Sequence, residues 1–182
     1  MLSTEEKHWL LALARDAIAE KLGKGAGIGR LPSSDALRRP CGAFVTLHKG
    51  GALRGCIGLV EALRPLHESV REMAVAAAFE DPRFPSLGSE EFDQIDIEIS
   101  VMSPLKRIDD VNVIVVGRHG IIMKRGLHQG LLLPQVATEQ GWDRETFLEH
   151  TCYKAGMTGD CWKQSDTEIY IFSAEVFGEK EQ

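Results

Sequence analysis

Leu53-Arg54-Gly55-Cys56-Ile57-Gly58 puts a guanidinium, a thiol and two glycines into a stretch otherwise suited to a β-strand. Glycine inside a strand loses backbone entropy and packs nothing, so two of them point to close approach of a ligand or another backbone. Strict alternation puts Arg54, Cys56 and Gly58 on one face and Leu53, Gly55, Ile57 and Leu59 on the other. Arg54 and Cys56 then lie roughly 6–7 Å apart at Cα. At that range a guanidinium can lower the pKa of a thiol or hold an anion beside it. The plainer account of the same residues is a small packed thiol in a tight hairpin, with Arg54 in a structural ion pair.

Histidines are the obvious bases for Cys56. His48 is excluded as a direct partner: a turn centred on Gly50 sets it opposite Ala52, and one centred between Gly50 and Gly51 sets it opposite Leu53. Either register leaves it about 10 Å or more from Cys56. His119, between Gly117 and Gly120, has glycine neighbours that leave room for a bound group, so a Cys56–His119 nucleophile pair is permitted. His67, His128 and His150 carry no further argument. Asp96 and Glu98 share a strand face and suit either paired acid–base work or plain solvation. The cysteines at 41, 56, 152 and 161 form no C-x-x-C pair, and Cys152 falls on an apolar helical stripe with Leu148. Core packing is therefore expected there, and no metal site is assigned.

Periodicity supplies the elements that must position these groups. Ser3 and Glu6 form a capping box before a helix whose stripe is Leu10, Leu13, Ala14, Ala17 and Ile18, with Gly23 as its stop. Residues 23–30 are glycine-rich but lack phosphate-loop spacing, so a flexible connection to Pro40 is expected. A hairpin over Ala43–Val60 turns at Gly50-Gly51. Pro65 opens a second helix with Leu66, Val70, Met73, Ala74 and Ala77 inward, and the prolines of Asp81-Pro82-Arg83-Phe84-Pro85 call for an extended path. Ile95–Val101 alternates as a strand with one dry face. Residues 120–133 read as a hairpin, followed by a short helix after Pro134. Asp143 caps a helix ended by Gly156, and Ile169–Phe177 reads as a central strand buried on both faces. Strands and helices do not alternate regularly, which predicts an α+β fold with antiparallel sheets.

The chain has 182 residues, enough for one domain or one large unit with a small one. Its 27 acidic residues outnumber 21 basic ones, which argues against a large nucleic-acid footprint, and Trp9, Trp142 and Trp162 form no basic stacking platform. No apolar run nears the roughly 20 residues of a membrane helix. Glu5 and Glu6 stand where a signal peptide would be basic, and the few unpatterned cysteines suggest a reducing cytoplasm rather than a disulfide scaffold.

The hexapeptide Leu53–Gly58 resembles the hallmark of the AMMECR-one domain family. The likeness extends through Asp81–Leu87 (DPRFPSL), Gly117–Gly120 with His119, Leu133-Pro134-Gln135-Val136-Ala137 before Trp142, and Lys154-Ala155-Gly156 before Trp162. Ser86 departs from the proline common in that family. The resemblance implies one domain over residues 1–182, made of two interleaved lobes: a larger one from both chain ends and a smaller central one, with the hexapeptide beside their junction. It adds Arg83, Gln135 and Lys154 to Arg54, Gly55 and Gly58 as binding candidates, with Cys56 and His119 as catalytic candidates. In prokaryotes such proteins resemble protein A of the AmmeMemoRadiSam system, which implies a Memo-like protein and a radical-SAM protein as partners. A small anionic ligand suits Arg54, and no residue pattern names a cofactor. Two functions follow as expectations: a ligand- or partner-binding component of such a pathway, or a cysteine-dependent enzyme built on Cys56.

Overall fold

A computed structural model describes residues 1–25, 27–28 and 33–180. The chain is α+β and divides into two compact units: Met1–Met102 joined by the C-terminal segment from Glu175, and Ser103–Ala174.

In the first unit, α1 (Thr4–Lys21) starts at the expected capping box, with Ser3 Oγ accepting from the Glu6 amide and the Glu6 carboxylate accepting from the Ser3 amide. It ends at Leu22, followed by Gly23 at φ +73°. Its stripe is fully inside, Leu10, Ala14 and Ile18 being 0% exposed. Part of the connection expected over 23–40, at residues 26 and 29–32, lies outside the described residues. Its end is not loop but a short helix, α2 (Asp35–Arg38), because Ser34 Oγ accepts from the amides of Ala36 and Leu37.

The hairpin β1 (Ala43–Lys49) and β2 (Ala52–Leu59) closes through Gly50 and Gly51, at φ +60° and +84°. Both values lie in the left-handed region that a two-residue type I′ turn demands. On its other side β1 pairs antiparallel with β3 (Ile95–Met102). Helices α1 and α3 (Leu66–Phe79) cover one face of this sheet, and Val45, Leu47, Ile97 and Ile99 meet Leu10, Ile18, Val70 and Ala74 in one core. Pro65 sits at the N-cap of α3, one place before the expected first turn. The wet face of β3 holds only to Glu98, since Ser100 is buried. The C-terminal segment is tied in by Glu179, whose carboxylate accepts from Arg15 and from the Ile97 amide.

In the second unit β4 (Lys106–Ile108), the part of β7 (Glu168–Gly178) before Glu175, β5 (His119–Arg125) and β6 (His128–Leu132) lie side by side, all antiparallel. The helices are α4 (Pro134–Glu139) and α5 (Arg144–Lys154), the latter capped by Asp143 as expected. β7 is central but not dry on both faces. Ile169 and Ile171 join the core with Phe147 and Leu148, while Tyr170 is half-buried under the Lys124 ammonium and Val176 is exposed.

The expectation of a packed Cys152 thiol is corrected: Cys152 is disulfide-bonded to Cys161, with Cα atoms 5.8 Å apart and both residues fully buried. A gap of nine residues is no recognised pattern. The pairing arises because Gly156, at φ +73°, turns the chain back after α5. In the unfolded but unreduced chain, only Cys41 and Cys56 are expected to take up iodoacetamide, and all four cysteines after reduction. Reduction is expected to lower stability by about 2–3 kcal/mol, read from urea unfolding. Labelling of all four thiols before reduction contradicts the pairing.

Candidate functional site

The hexapeptide occupies β2, which among the described residues pairs with β1 alone and is an edge strand. With Lys49 opposite Ala52 and His48 opposite Leu53, an unbroken register would set Arg54 opposite the core residue Leu47. Placing a guanidinium there would bury an unpaired charge. A β-bulge between Leu47 and His48 removes the conflict: Leu47 pairs with Gly55, Thr46 with Cys56, and Arg54 is the extra residue. The bulge overturns the simple alternation. Leu53, Cys56 and Gly58 share the face of Thr46 and Phe44, whereas Gly55, Ile57 and Leu59 share the helix-covered face. His48 stays three residues short of Cys56 along the partner strand.

Arg54 is 8% exposed and committed to the protein's own carboxylate. Its Nε and Nη2 donate to the two Glu91 oxygens at 3.2 and 2.9 Å, and Nη2 also donates to the Pro85 carbonyl at 3.0 Å. Lys49 Nζ and the Gly88 amide complete the cage around Glu91 at 2.9 and 3.3 Å. Arg54 and then Lys49 hold the Glu91 carboxyl down at about 2. Of the two accounts of Arg54, the geometry matches the structural ion pair.

The two strand glycines are filled by the protein itself. A Cβ at Gly55 would come within 2.2 Å of the Ala77 carbonyl on α3, and one at Gly58 within 2.2 Å of the Phe44 ring. Close backbone approach was the right inference from these glycines, but the groups that approach are a helix backbone and a cross-strand ring.

Cys56 is half-buried, and its Sγ accepts from Thr46 Oγ1 at 3.2 Å. Its main chain points away from β1. Asp81 Oδ2 accepts from the Cys56 amide at 2.9 Å, and Arg83 Nη2 donates to the Cys56 carbonyl at 3.2 Å. Asp81 and Arg83 also grip each other, through Arg83 Nε to Oδ1 at 2.9 Å and Nη2 to Oδ2 at 2.7 Å. Arg83 and the Cys56 amide hold the Asp81 carboxyl well below the carboxylate range against the effect of burial. The two side chains thus reproduce, for one residue, the donor and acceptor of a neighbouring strand. Segment 81–85 is a turn and not the expected extended path: the Phe84 amide donates to the Asp81 carbonyl, and Pro82 suits the second place of such a turn. The Arg83 side chain is 55% exposed against 10% for Arg54, so its guanidinium is open to solvent.

The family model described as AMMECR1 matches residues 11–177. The chain belongs to the AMMECR1 family. A protein of Methanopyrus kandleri is 46% identical over 189 residues, covering 99% of this chain and 91% of that protein. One from Methanothermobacter thermautotrophicus is 47% identical, covering 98% and 96%. The crystal structure of an uncharacterized protein from Pyrococcus horikoshii superposes with a TM-score of 0.84 at 43% identity, over 94% of this chain and 90% of that one.

The remaining candidates in this AMMECR1 chain belong to the second unit. His119 opens β5, and its Nδ1 accepts from the Val115 amide at 3.1 Å, so the neutral ring carries its proton on Nε2. Burial, then Arg118 and Lys106, lower its pKa. Gln135 is half-buried in α4, where its carbonyl takes the Thr138 hydroxyl, and Lys154 is the exposed last residue of α5. Thr46, Asp81 and Glu91 were not singled out as site residues. The signal for Thr46 was the register clash of Arg54 with Leu47, and that for Asp81 was a carboxylate two residues before an arginine on a turn. Glu91 lies 37 residues from Arg54 and leaves no local trace.

A depressed carboxylate pKa gives stability that is complete above the ordinary glutamate value and fades as pH falls through about 2. Glu91→Gln is therefore expected to destabilise by about 2–3 kcal/mol at pH 7, with Arg54 left buried beside a neutral group. Thermal melts of the two proteins should converge between pH 4.5 and about 2. Parallel curves across that range contradict the ion pair.

Proposed function

We propose that this chain is a ligand- or partner-binding component of a radical-SAM/Memo-associated modification pathway, working in the cytoplasm, with its site on Leu53–Gly58. The observation that carries the reading is the pairing of an exposed Arg83 guanidinium with the main chain of a half-buried free thiol. An anionic group of a small ligand or of a partner would meet Arg83, while Arg54 braces the strand from behind through Glu91. Gly55 and Gly58 serve this site by admitting α3 and Phe44, which fix the strand that carries Cys56.

A cysteine-dependent enzyme is the second reading, favoured by the Thr46 hydroxyl on Cys56 Sγ and by the Arg83 charge near the thiol. It lacks a bonded base, for no histidine hydrogen-bonds Cys56 among the described residues. In that version Arg83 takes the anion-holding part first given to Arg54.

Purification with the suspected Memo-like partner is the direct test. Co-elution is expected, with iodoacetamide labelling of Cys56 slowed about tenfold in the complex, a factor worth roughly 1.4 kcal/mol. Arg83→Ala should abolish both effects, and Cys56→Ser should still co-elute. Separate elution with unchanged labelling overturns the binding reading, and loss of co-elution in Cys56→Ser favours the thiol chemistry.

A further inference from the structure

A second feature adjoins the hexapeptide and extends the partner-binding reading by giving the partner a chemistry. The backbone register shows which groups of β2 are unpaired. The Met102 amide donates to the Gly42 carbonyl, so Phe44 and Thr46, two and four residues on, direct their main chain toward β3. Ala43, Val45 and Leu47 then bond β2 through Leu59, Ile57 and Gly55, and Cys56 and Gly58 direct their N–H and C=O outward. Asp81 and Arg83 occupy the outward groups of Cys56. Among the described residues, the outward groups of Gly58 have no partner.

An open strand edge commonly carries a charge, a proline or a covering segment that blocks pairing. Among the described residues Gly58 has none of these, and a groove of about 500 Å³ runs beside it. Ile57 and Leu59 of β2 form one wall and Met73, Val75 and Ala76 of α3 the other. These strand residues share the helix-covered face of the sheet. A peptide paired to Gly58 would therefore send every second side chain into the groove, with the residue directly opposite Gly58 facing away from it.

The rim is acidic. Arg71 is paired with Glu20, and Glu72 with Arg64. Glu68 and Glu80 remain at opposite ends of α3 as exposed carboxylates. Twelve helical residues separate them by about 18 Å, the reach of roughly six extended residues.

We infer that the β2 edge at Gly58 and the groove along α3 bind an extended segment of a partner protein by strand addition, a segment with alternating apolar residues and basic residues at its ends. Backbone pairing supplies orientation, and Val75, Ile57 and Leu59 select the apolar side chains. The Asp81–Arg83 cap stops the added strand at Cys56, so the partner's end is delivered to the thiol and to Arg83.

The probe is a fluorescein-labelled peptide, Lys-Thr-Val-Thr-Val-Thr-Lys, titrated with the full chain by fluorescence anisotropy. Its sequence reads the same in both directions, so strand polarity does not matter. Saturable binding is expected, weakened at least about tenfold when the three Thr amides are N-methylated, because these lie on the edge that faces β2, one of them opposite Gly58. An analogue with Glu in place of both Lys should bind at least about tenfold more weakly. Val75→Asp is expected to abolish binding. Should it fail to fold, Glu80→Lys on the exposed rim must still weaken the basic peptide and leave the acidic one no worse. Absence of saturation up to about 1 mM, or equal affinity for the N-methylated peptide, overturns the inference. Peptide binding without co-elution of the Memo-like protein leaves the groove standing and removes the pathway. Co-elution undiminished in a folded Val75→Asp does the reverse.

Discussion

The arrangement of the first unit depends on one constraint: a strand at the edge of a sheet must either pair its outer backbone groups or leave them open. Here the Asp81 carboxylate and the Arg83 guanidinium stand in for a missing neighbour at Cys56 and stop there. Much else follows from that cap. Asp81 is buried and ionised only because Arg83 and an amide compensate it, which fixes the turn after α3 against β2. The same turn brings the Pro85 carbonyl to Arg54, and Glu91 a few residues on neutralises that guanidinium. The hexapeptide and DPRFPSL are thus two halves of one structure: the strand presents a thiol, and the turn caps its edge and supplies the exposed charge.

The bulge is equally necessary. Without it the Gly50-Gly51 turn would align Arg54 with Leu47 and point a cation into the helices. With it, Thr46 comes opposite Cys56 and its hydroxyl reaches the sulfur. One inserted residue therefore settles both where the charge goes and which neighbour the thiol has. A turn motif and an alternating pattern could not both be satisfied at strict register, and the strand yielded at the residue whose burial unpaired would be worst.

Most of the fold was legible from local signals. Capping at Ser3 and Asp143, the glycine pair at 50–51 and the alternation from Ile95 each describe an interaction within a few residues. Helix α2 and strand β4 were missed because each spans a single turn or three residues, too short for periodicity to register. The Cys152–Cys161 bond was missed for a related reason, since only the reversal at Gly156 brings the two together. At the site, residue types singled out the strand and left two accounts of Arg54, of which the geometry shows the ion pair. Its partner Glu91 is remote in the chain, and a bulge cannot be read from one strand's pattern alone. The glycines were read correctly as contact points, though the contacting groups lay elsewhere in the sequence.

Cys56 and Gly58 offer an internal comparison, two outward-facing residues of one strand, one capped and one open. Native-state hydrogen exchange resolved at these two amides tests the cap most directly. The account predicts a Cys56 amide protected like the paired strand interior and a Gly58 amide that exchanges far faster, with Asp81→Ala bringing Cys56 up to the Gly58 rate while Ile57 stays slow. Equal exchange at Cys56 and Gly58 in the unaltered chain would contradict it.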